Sequence, residues 1–160
     1  MKLYLDSSAI LKRYVEEEGS ETADIVFEKA ERGEVTLSLS IWNIGEVLGA
    51  LDGSLRKGWL SKKQFKEVLD SFGSEFEKLL RLRTMEIIPV STTIVADAFD
   101  VLLEHHIYEA DALQIVSCVA GKNDCLLSGD KKLVEVSREA GLKAFDLALD
   151  TQELVELLQC

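Results

Sequence analysis

Short apolar runs of strand length alternate with stretches of helical spacing along the whole of this 160-residue chain. That alternation constrains the fold more than any other feature. The strand-like runs are "KLYL" (2–5), the strictly alternating "EVTLSLS" (34–40), "MEIIPV" (85–90), "DCLLS" (124–128) and "LKAFDL" (142–147). Helical spacing fills the intervals. "SAILKRYV" (8–15) is followed by "SETADIVFEKAERG" (20–33), with Ser20 as its N-cap and Gly33 as its stop. "SIWNIGEVLGALDG" (40–53) precedes "SKKQFKEVLDSFGSEFEKLLRLR" (61–83), which reads as one long helix or a pair broken at Gly73. "STTIVADAFDVLLEHH" (91–106) opens at Ser91, "YEADALQIVSCVAG" (108–121) ends at Gly121, and "GDKKLVEVSREAG" (129–141) and "TQELVELLQC" (151–160) complete the set. Strands separated by helices imply βα units. The expected fold is α/β, three layers deep, with a mostly parallel central sheet covered on both faces. In such a sheet the C-terminal strand ends share one edge, and ligands collect in the crevice there.

The length suits a single domain spanning 1–160, with residues 52–83 as a helical arm and 151–160 as a C-terminal helix. There is one proline, Pro89, and no repeat or Gly/Ser linker. Apolar residues make up 47% and charged residues 29%, a folded composition and not a disordered one. The apolar runs are too short to cross a bilayer, and the N-terminus lacks the apolar core of a secretory leader, so a cytoplasmic protein without a membrane partner is expected. Cys118, Cys125 and Cys160 form no C-x-x-C pair and read as reduced thiols, two in the core and one exposed at the C-terminus. A net charge of −11 excludes a broad basic face for gripping nucleic acid. An enzyme with this charge that handles nucleic acid needs a cation or a local basic rim. Lys12, Arg13, Lys131 and Lys132 stand near candidate acids and are the residues available for such steering; ordinary solvated side chains are the competing reading.

Most of the 29 acidic residues lie on polar helix faces. Four do not. Asp6 ends the first strand, Glu46 sits inside a mainly apolar helix, Asp111 lies in the first turn of another, and Asp130 follows a buried strand. Taken singly, Asp6 and Asp130 suit helix N-caps and Asp111 suits a helix macrodipole. Glu46 has no such explanation and no local basic neighbour. Four acids in apolar settings are costly unless paired, hydrogen-bonded or metal-bound. Convergence of all four on Mg²⁺ or Mn²⁺ accounts for them together, since hard oxygen ligands without His or Cys suit those ions. One or two such ions promote phosphodiester hydrolysis, with a carboxylate orienting or deprotonating the attacking water. Ser7 and Ser128 flank two of the acids and are placed to hold a carboxylate in one rotamer, the alternative being turn chemistry at strand ends.

Other features carry less. His105 and His106 are adjacent, point apart and suit a helix end. Trp42 reads as core beside Ile41 and Ile44, and Trp59 as an interface anchor at a turn. Two rival functions stand beside a nuclease. One is a phosphatase or phosphotransferase with Asp6 as nucleophile; haloacid-dehalogenase-type enzymes begin similarly but carry D-x-D, and here Ser8 stands two residues on. The other is a catalytically silent module that binds a partner.

The segments "YLDSSAILKRYVEEEGS", "LSLSIWNIGEVLGAL", "YEADALQIVSCVAG" and "LLSGDKKLVEVSREAGL" resemble, in order, the successive motifs of PIN-domain ribonucleases, particularly the VapC-like toxins of prokaryotic toxin–antitoxin pairs. The resemblance runs from about residue 3 to 146. It implies a PIN-like fold, Mg²⁺ or Mn²⁺ as cofactor, and cleavage of RNA. Asp6, Glu46, Asp111 and Asp130 match the family's four acids, and Ser7 and Ser128 match its hydroxyl positions. It further implies a homodimer and a small antitoxin partner, with an RNA-processing nuclease lacking an antitoxin as the alternative.

Overall fold

The computed structural model describes residues 1–159. Five strands, β1 (Lys2–Leu5), β2 (Thr36–Ser40), β3 (Met85–Ile88), β4 (Cys125–Ser128) and β5 (Ala144–Asp146), form one sheet in the order β3-β2-β1-β4-β5. All four pairings are parallel. Leu5 pairs with Leu127, so the chain leaves β1 and β4 side by side. Connections run one way from β1 and the other way from β4. The crevice between these two strand ends is therefore the switch point where open α/β sheets bind ligands.

Among the described residues eight helices cover the sheet: α1 (Ser7–Leu11), α2 (Ser20–Glu31), α3 (Ile41–Arg56), α4 (Lys62–Leu82), α5 (Thr92–His105), α6 (Glu109–Ala120), α7 (Lys131–Glu139) and α8 (Thr151–Leu157). Side chains alternate across each strand, which divides the core into two. Leu3, Leu5, Leu37, Leu39 and Leu127 face one side, packed with Ile10 of α1, Phe27 of α2, Val47 of α3, Phe76 of α4 and Leu154 of α8. Tyr4, Leu126 and Ala144 face the other, packed with Ile94 of α5, Ile115 of α6 and Val134 of α7. The expected three layers are present, and the sheet is wholly parallel.

Several local expectations are revised. Ser20 begins α2, but the residue before it is Gly19 at φ 91°, and the Ser20 hydroxyl instead accepts from the Glu17 amide at 2.9 Å. Gly73 does not break α4, which runs unbroken over 21 residues. Gly121 ends α6 as expected, as its C-cap, and the following Lys122 takes the left-handed conformation at φ 53°. A Cβ at 121 would stand 2.3 Å from Ile88 Cδ1 and 2.6 Å from Asn123 Nδ2, so a larger residue there must displace both side chains. The 52–83 stretch is less an arm than a wall of the main core. Phe72, Phe76 and Leu79 are buried in it, and Glu75 clasps Arg13 across 62 positions of sequence. Trp42 is not core but 46% exposed, and Trp59 is exposed with the Lys57 ammonium 4.4 Å from its ring centre. His105 and His106 close α5. Cys118 and Cys125 are buried free thiols, while the expected exposed thiol of Cys160 lies outside the described residues. Among the described residues no helix is long and apolar enough to cross a membrane.

Candidate active site

Asp6 is the N-cap of α1. Its Oδ1 accepts from the Ala9 amide at 2.7 Å, as an N-cap side chain does. The Ser8 hydroxyl lies 2.8 Å from both carboxylate oxygens, and the Ser128 hydroxyl donates to Oδ2 at 2.9 Å. Asp6 is buried, and burial pushes its pKa up to about 6 against the lowering effect of these donors. The hydroxyl placed against it is Ser8's and not Ser7's. Among the described residues no hydrogen bond joins Ser7 Oγ to Asp6.

The two serines also join the strand ends. Ser8 Oγ accepts from the Gly129 amide at 2.7 Å, and Ser128 Oγ accepts from the Asp130 amide at 2.8 Å. Ser128 thus ties the first acid to the backbone of the fourth. Gly129 between them is constrained by packing: a Cβ there would meet Lys12 Cε at 2.3 Å.

Asp130 caps α7, its Oδ1 accepting from the amides of Lys132 at 2.8 Å and Leu133 at 3.3 Å. The capping and ligand readings of Asp6 and Asp130 are therefore not exclusive, because a cap at a strand end faces the crevice. Asp111 lies in the first turn of α6. Its pKa is raised, first by burial and then by the charges of Asp130 and Glu46, with Lys132 opposing. Glu46, in the second turn of α3, receives a hydrogen bond at Oε2 from Gln114 Nε2 at 2.8 Å. The four acids come from the exits of β1, β2 and β4 and the start of α6, all at one edge.

That edge is not a ready-made cage. Among the described residues no three His, Cys, Asp or Glu side chains stand close enough to hold an ion by themselves. The donor set nonetheless fits Mg²⁺ or Mn²⁺. It is all hard oxygen, Asp6 is a buried carboxylate without a cationic partner in hydrogen-bond reach, and Mg²⁺ takes one or two carboxylates and keeps waters for the rest.

The basic residues divide. Lys12 is buried, its Nζ donating to the Glu18 carbonyl at 2.6 Å and standing 3.2 Å from Glu17 Oε1. Arg13 bonds Glu75 at 2.6 Å through Nη2 and Asp24 at 2.7 Å through Nη1. Neither faces an incoming phosphate, because each side chain is turned to internal acceptors. Lys131 is exposed beside Glu135, and Lys132 is close enough to act on Asp111. A groove of about 430 Å³ adjoins Glu46, lined also by Ile41, Trp42, Gly45 and Val90. A larger one, about 550 Å³, lies away from the acids between the end of α1 and α4, against Tyr14, Leu60, Gln64 and Val68.

Sequence reasoning passed over a buried polar group behind Glu46. Tyr4, Asn43 and Gln114 meet there, with Asn43 Nδ2 donating to Gln114 Oε1 at 2.7 Å. The signal was present in the residues: uncharged amides in otherwise apolar helices, as unusual there as Glu46 itself.

The family model for the PIN domain matches residues 3–139. Ribonuclease VapC3 of Pyrobaculum aerophilum is 31% identical over 137 residues, covering 84% of this chain and 94% of that protein. Two solved structures share the fold: VapBC2 from Rickettsia felis bound to a DNA fragment from its promoter, and Mycobacterium tuberculosis VapC20, a sarcin-ricin loop cleaving toxin. The first has a TM-score of 0.63 at 17% identity, covering 91% of this chain and 98% of that one. The second has a TM-score of 0.61 at 13% identity, covering 88% and 95%. With its parallel five-stranded sheet, its acids at the switch point and a matched span of most of its length, this chain belongs to the PIN-domain family.

Proposed function

We propose that the protein is a divalent-cation-dependent endoribonuclease of the VapC type, acting through Asp6, Glu46, Asp111 and Asp130. The observation that carries this is Asp6. It is a buried, charge-disfavoured carboxylate at the sheet's switch point, oriented by two hydroxyls and an amide and faced by no basic side chain in hydrogen-bond reach. When bound, Mg²⁺ or Mn²⁺ supplies an acidified water and offsets charge developing on the phosphate. Ser8 and Ser128 keep Asp6 in one rotamer, Gln114 does the same for Glu46, and Lys132 is the basic residue placed to attract an RNA phosphate.

Asp6 as a phosphatase nucleophile is disfavoured by the same geometry. Both its oxygens accept hydrogen bonds and it is only 4% exposed. The fold shared with VapBC2 supports a small antitoxin protein as partner, and a homodimer is proposed as the working form.

The test is cleavage of a structured and a single-stranded RNA with Mg²⁺ or Mn²⁺, in EDTA, and with Asp6→Asn or Asp111→Asn. Cation-dependent cutting lost in both variants supports the assignment. Cutting that survives EDTA or both substitutions defeats it. Isolation from the native host, followed by sizing and identification of any small co-purifying protein, tests the antitoxin and the dimer.

A further inference from the structure

Behind Glu46 lies a chain of hydrogen bonds whose direction the backbone dictates. Asn43 Oδ1 accepts from the Ser40 amide and the Ser40 hydroxyl, each at 2.7 Å. A backbone N–H can only donate, so the Asn43 amide is held with its oxygen towards Ser40 and its nitrogen away. That nitrogen donates to Gln114 Oε1 at 2.7 Å, and the Tyr4 hydroxyl donates to the same oxygen at 2.7 Å. The Tyr4 hydroxyl also reaches Asn43 Oδ1 at 3.1 Å, so the fixed donor is the Asn43 nitrogen: it holds Gln114 Oε1 towards itself and leaves Nε2 turned to Glu46 Oε2 at 2.8 Å. A flipped Gln114 would set its nitrogen against the Asn43 nitrogen and its oxygen against a carboxylate. Asn43, Gln114 and Tyr4 are all buried, so water does not substitute for any of these contacts.

We infer that Gln114 is a positioning residue for Glu46, and that Asn43, itself fixed by the N-cap of α3, sets its donor direction. This rests on the reading of Glu46 as part of the active site. A neutral donor at Oε2 fixes the carboxylate's rotamer and keeps its full charge. Oε1 is left for a cation or a cation-bound water. Outer partners of this kind change metal affinity or activity by about 10–100-fold when removed.

The experiment compares Glu46→Gln, Gln114→Met, Gln114→Glu and Tyr4→Phe. Three quantities are read: kcat for RNA cleavage, Mn²⁺ binding without RNA by titration of the free-ion EPR signal, and the thermal midpoint. Gln114→Met is expected to lower kcat about 10–100-fold and to weaken Mn²⁺ binding. Gln114→Glu keeps an acceptor for Tyr4 and Asn43 but sets a second buried carboxyl against Glu46, so a lower thermal midpoint is expected along with the loss of kcat. Tyr4→Phe leaves Asn43 to orient Gln114, so kcat and Mn²⁺ binding stay within about twofold of wild type while the thermal midpoint falls. A Gln114→Met enzyme that cleaves and binds Mn²⁺ like wild type overturns the inference. So does a loss of kcat that follows the thermal midpoint equally in Tyr4→Phe. Should Glu46→Gln itself cleave normally, the assignment of Glu46 is what fails, and the Gln114 results are then read as packing alone.

Discussion

Replacing Asp6 by Asn is expected to make the cation-free protein more stable and, on the proposed reading, to abolish RNA cleavage. The carboxyl is held at about 6 against an ordinary 3.8, chiefly by burial. Below 3.8 it is neutral in the folded and the unfolded chain, and nothing is lost. Between 3.8 and about 6 the unfolded chain ionises first, so stability falls as pH rises. Above that window both states are charged and the full difference stands, about 3 kcal/mol at neutral pH. Asn removes the buried charge. It also offers one acceptor oxygen where Ala9, Ser8 and Ser128 now share two, so a net gain of about 1–2 kcal/mol remains. Urea unfolding in EDTA at pH 7.5 and pH 4 reads this directly: the variant is the more stable at pH 7.5, and the difference shrinks at pH 4. Adding Mn²⁺ raises the midpoint of the wild type and leaves that of the variant unmoved. A variant no more stable than wild type at pH 7.5 in EDTA, or a gap independent of pH, refutes the reasoning.

Ser8→Ala strips a donor from Asp6 and the acceptor from the Gly129 amide, so a loss of about 1–3 kcal/mol is expected, against under about 0.5 for Ser7→Ala; chemical denaturation of the pair distinguishes the two hydroxyls. Glu75→Ala leaves the Arg13 guanidinium and the Tyr14 hydroxyl without their shared acceptor and is expected to cost roughly 2–3 kcal/mol in the same assay, with Mn²⁺ affinity unchanged. Gly129→Ala pushes its new methyl into Lys12 and is expected to cost about 1–2 kcal/mol, a cost that shrinks when Lys12→Ala is combined with it in a double-mutant cycle.

The layer architecture was legible because burial on a parallel sheet forces strand and helix periods to alternate, and that pattern survives in residue order. The caps were legible for a similar reason. Asp6 and Asp130 act within three residues of themselves, on Ala9 and on Lys132 and Leu133. What failed was anything that depends on where a long side chain ends. Lys12 and Arg13 stand close to Asp6 in sequence, yet one reaches back to the Glu18 carbonyl and the other crosses to Glu75. Trp42 was misplaced because one helix face can be apolar and still lie at the rim of a groove. Ser7 and Ser8 differ by one step of helix, about 100° of rotation, which periodicity without a fixed cap does not resolve. Gln114 was overlooked although the reasoning that found Glu46 applies to it equally: a polar side chain in an apolar helix needs a partner.

The choice of donors around these acids is itself informative. Every hydrogen bond that Asp6, Glu46 and Asp130 receive among the described residues comes from a neutral group: a serine hydroxyl, a backbone amide or the Gln114 amide. Neutral donors fix a carboxylate's direction and leave its charge in place. A lysine at the same distance would fix it equally well and would compete with any cation approaching the edge. Lys12 is close in space, its stem lying against Gly129, yet its ammonium is drawn off by the Glu18 carbonyl and Glu17. The fold thus keeps uncompensated negative charge at one sheet edge, at a cost to the cation-free protein that Asp6 makes measurable. An edge organised only for stability would have let Lys12 turn the other way.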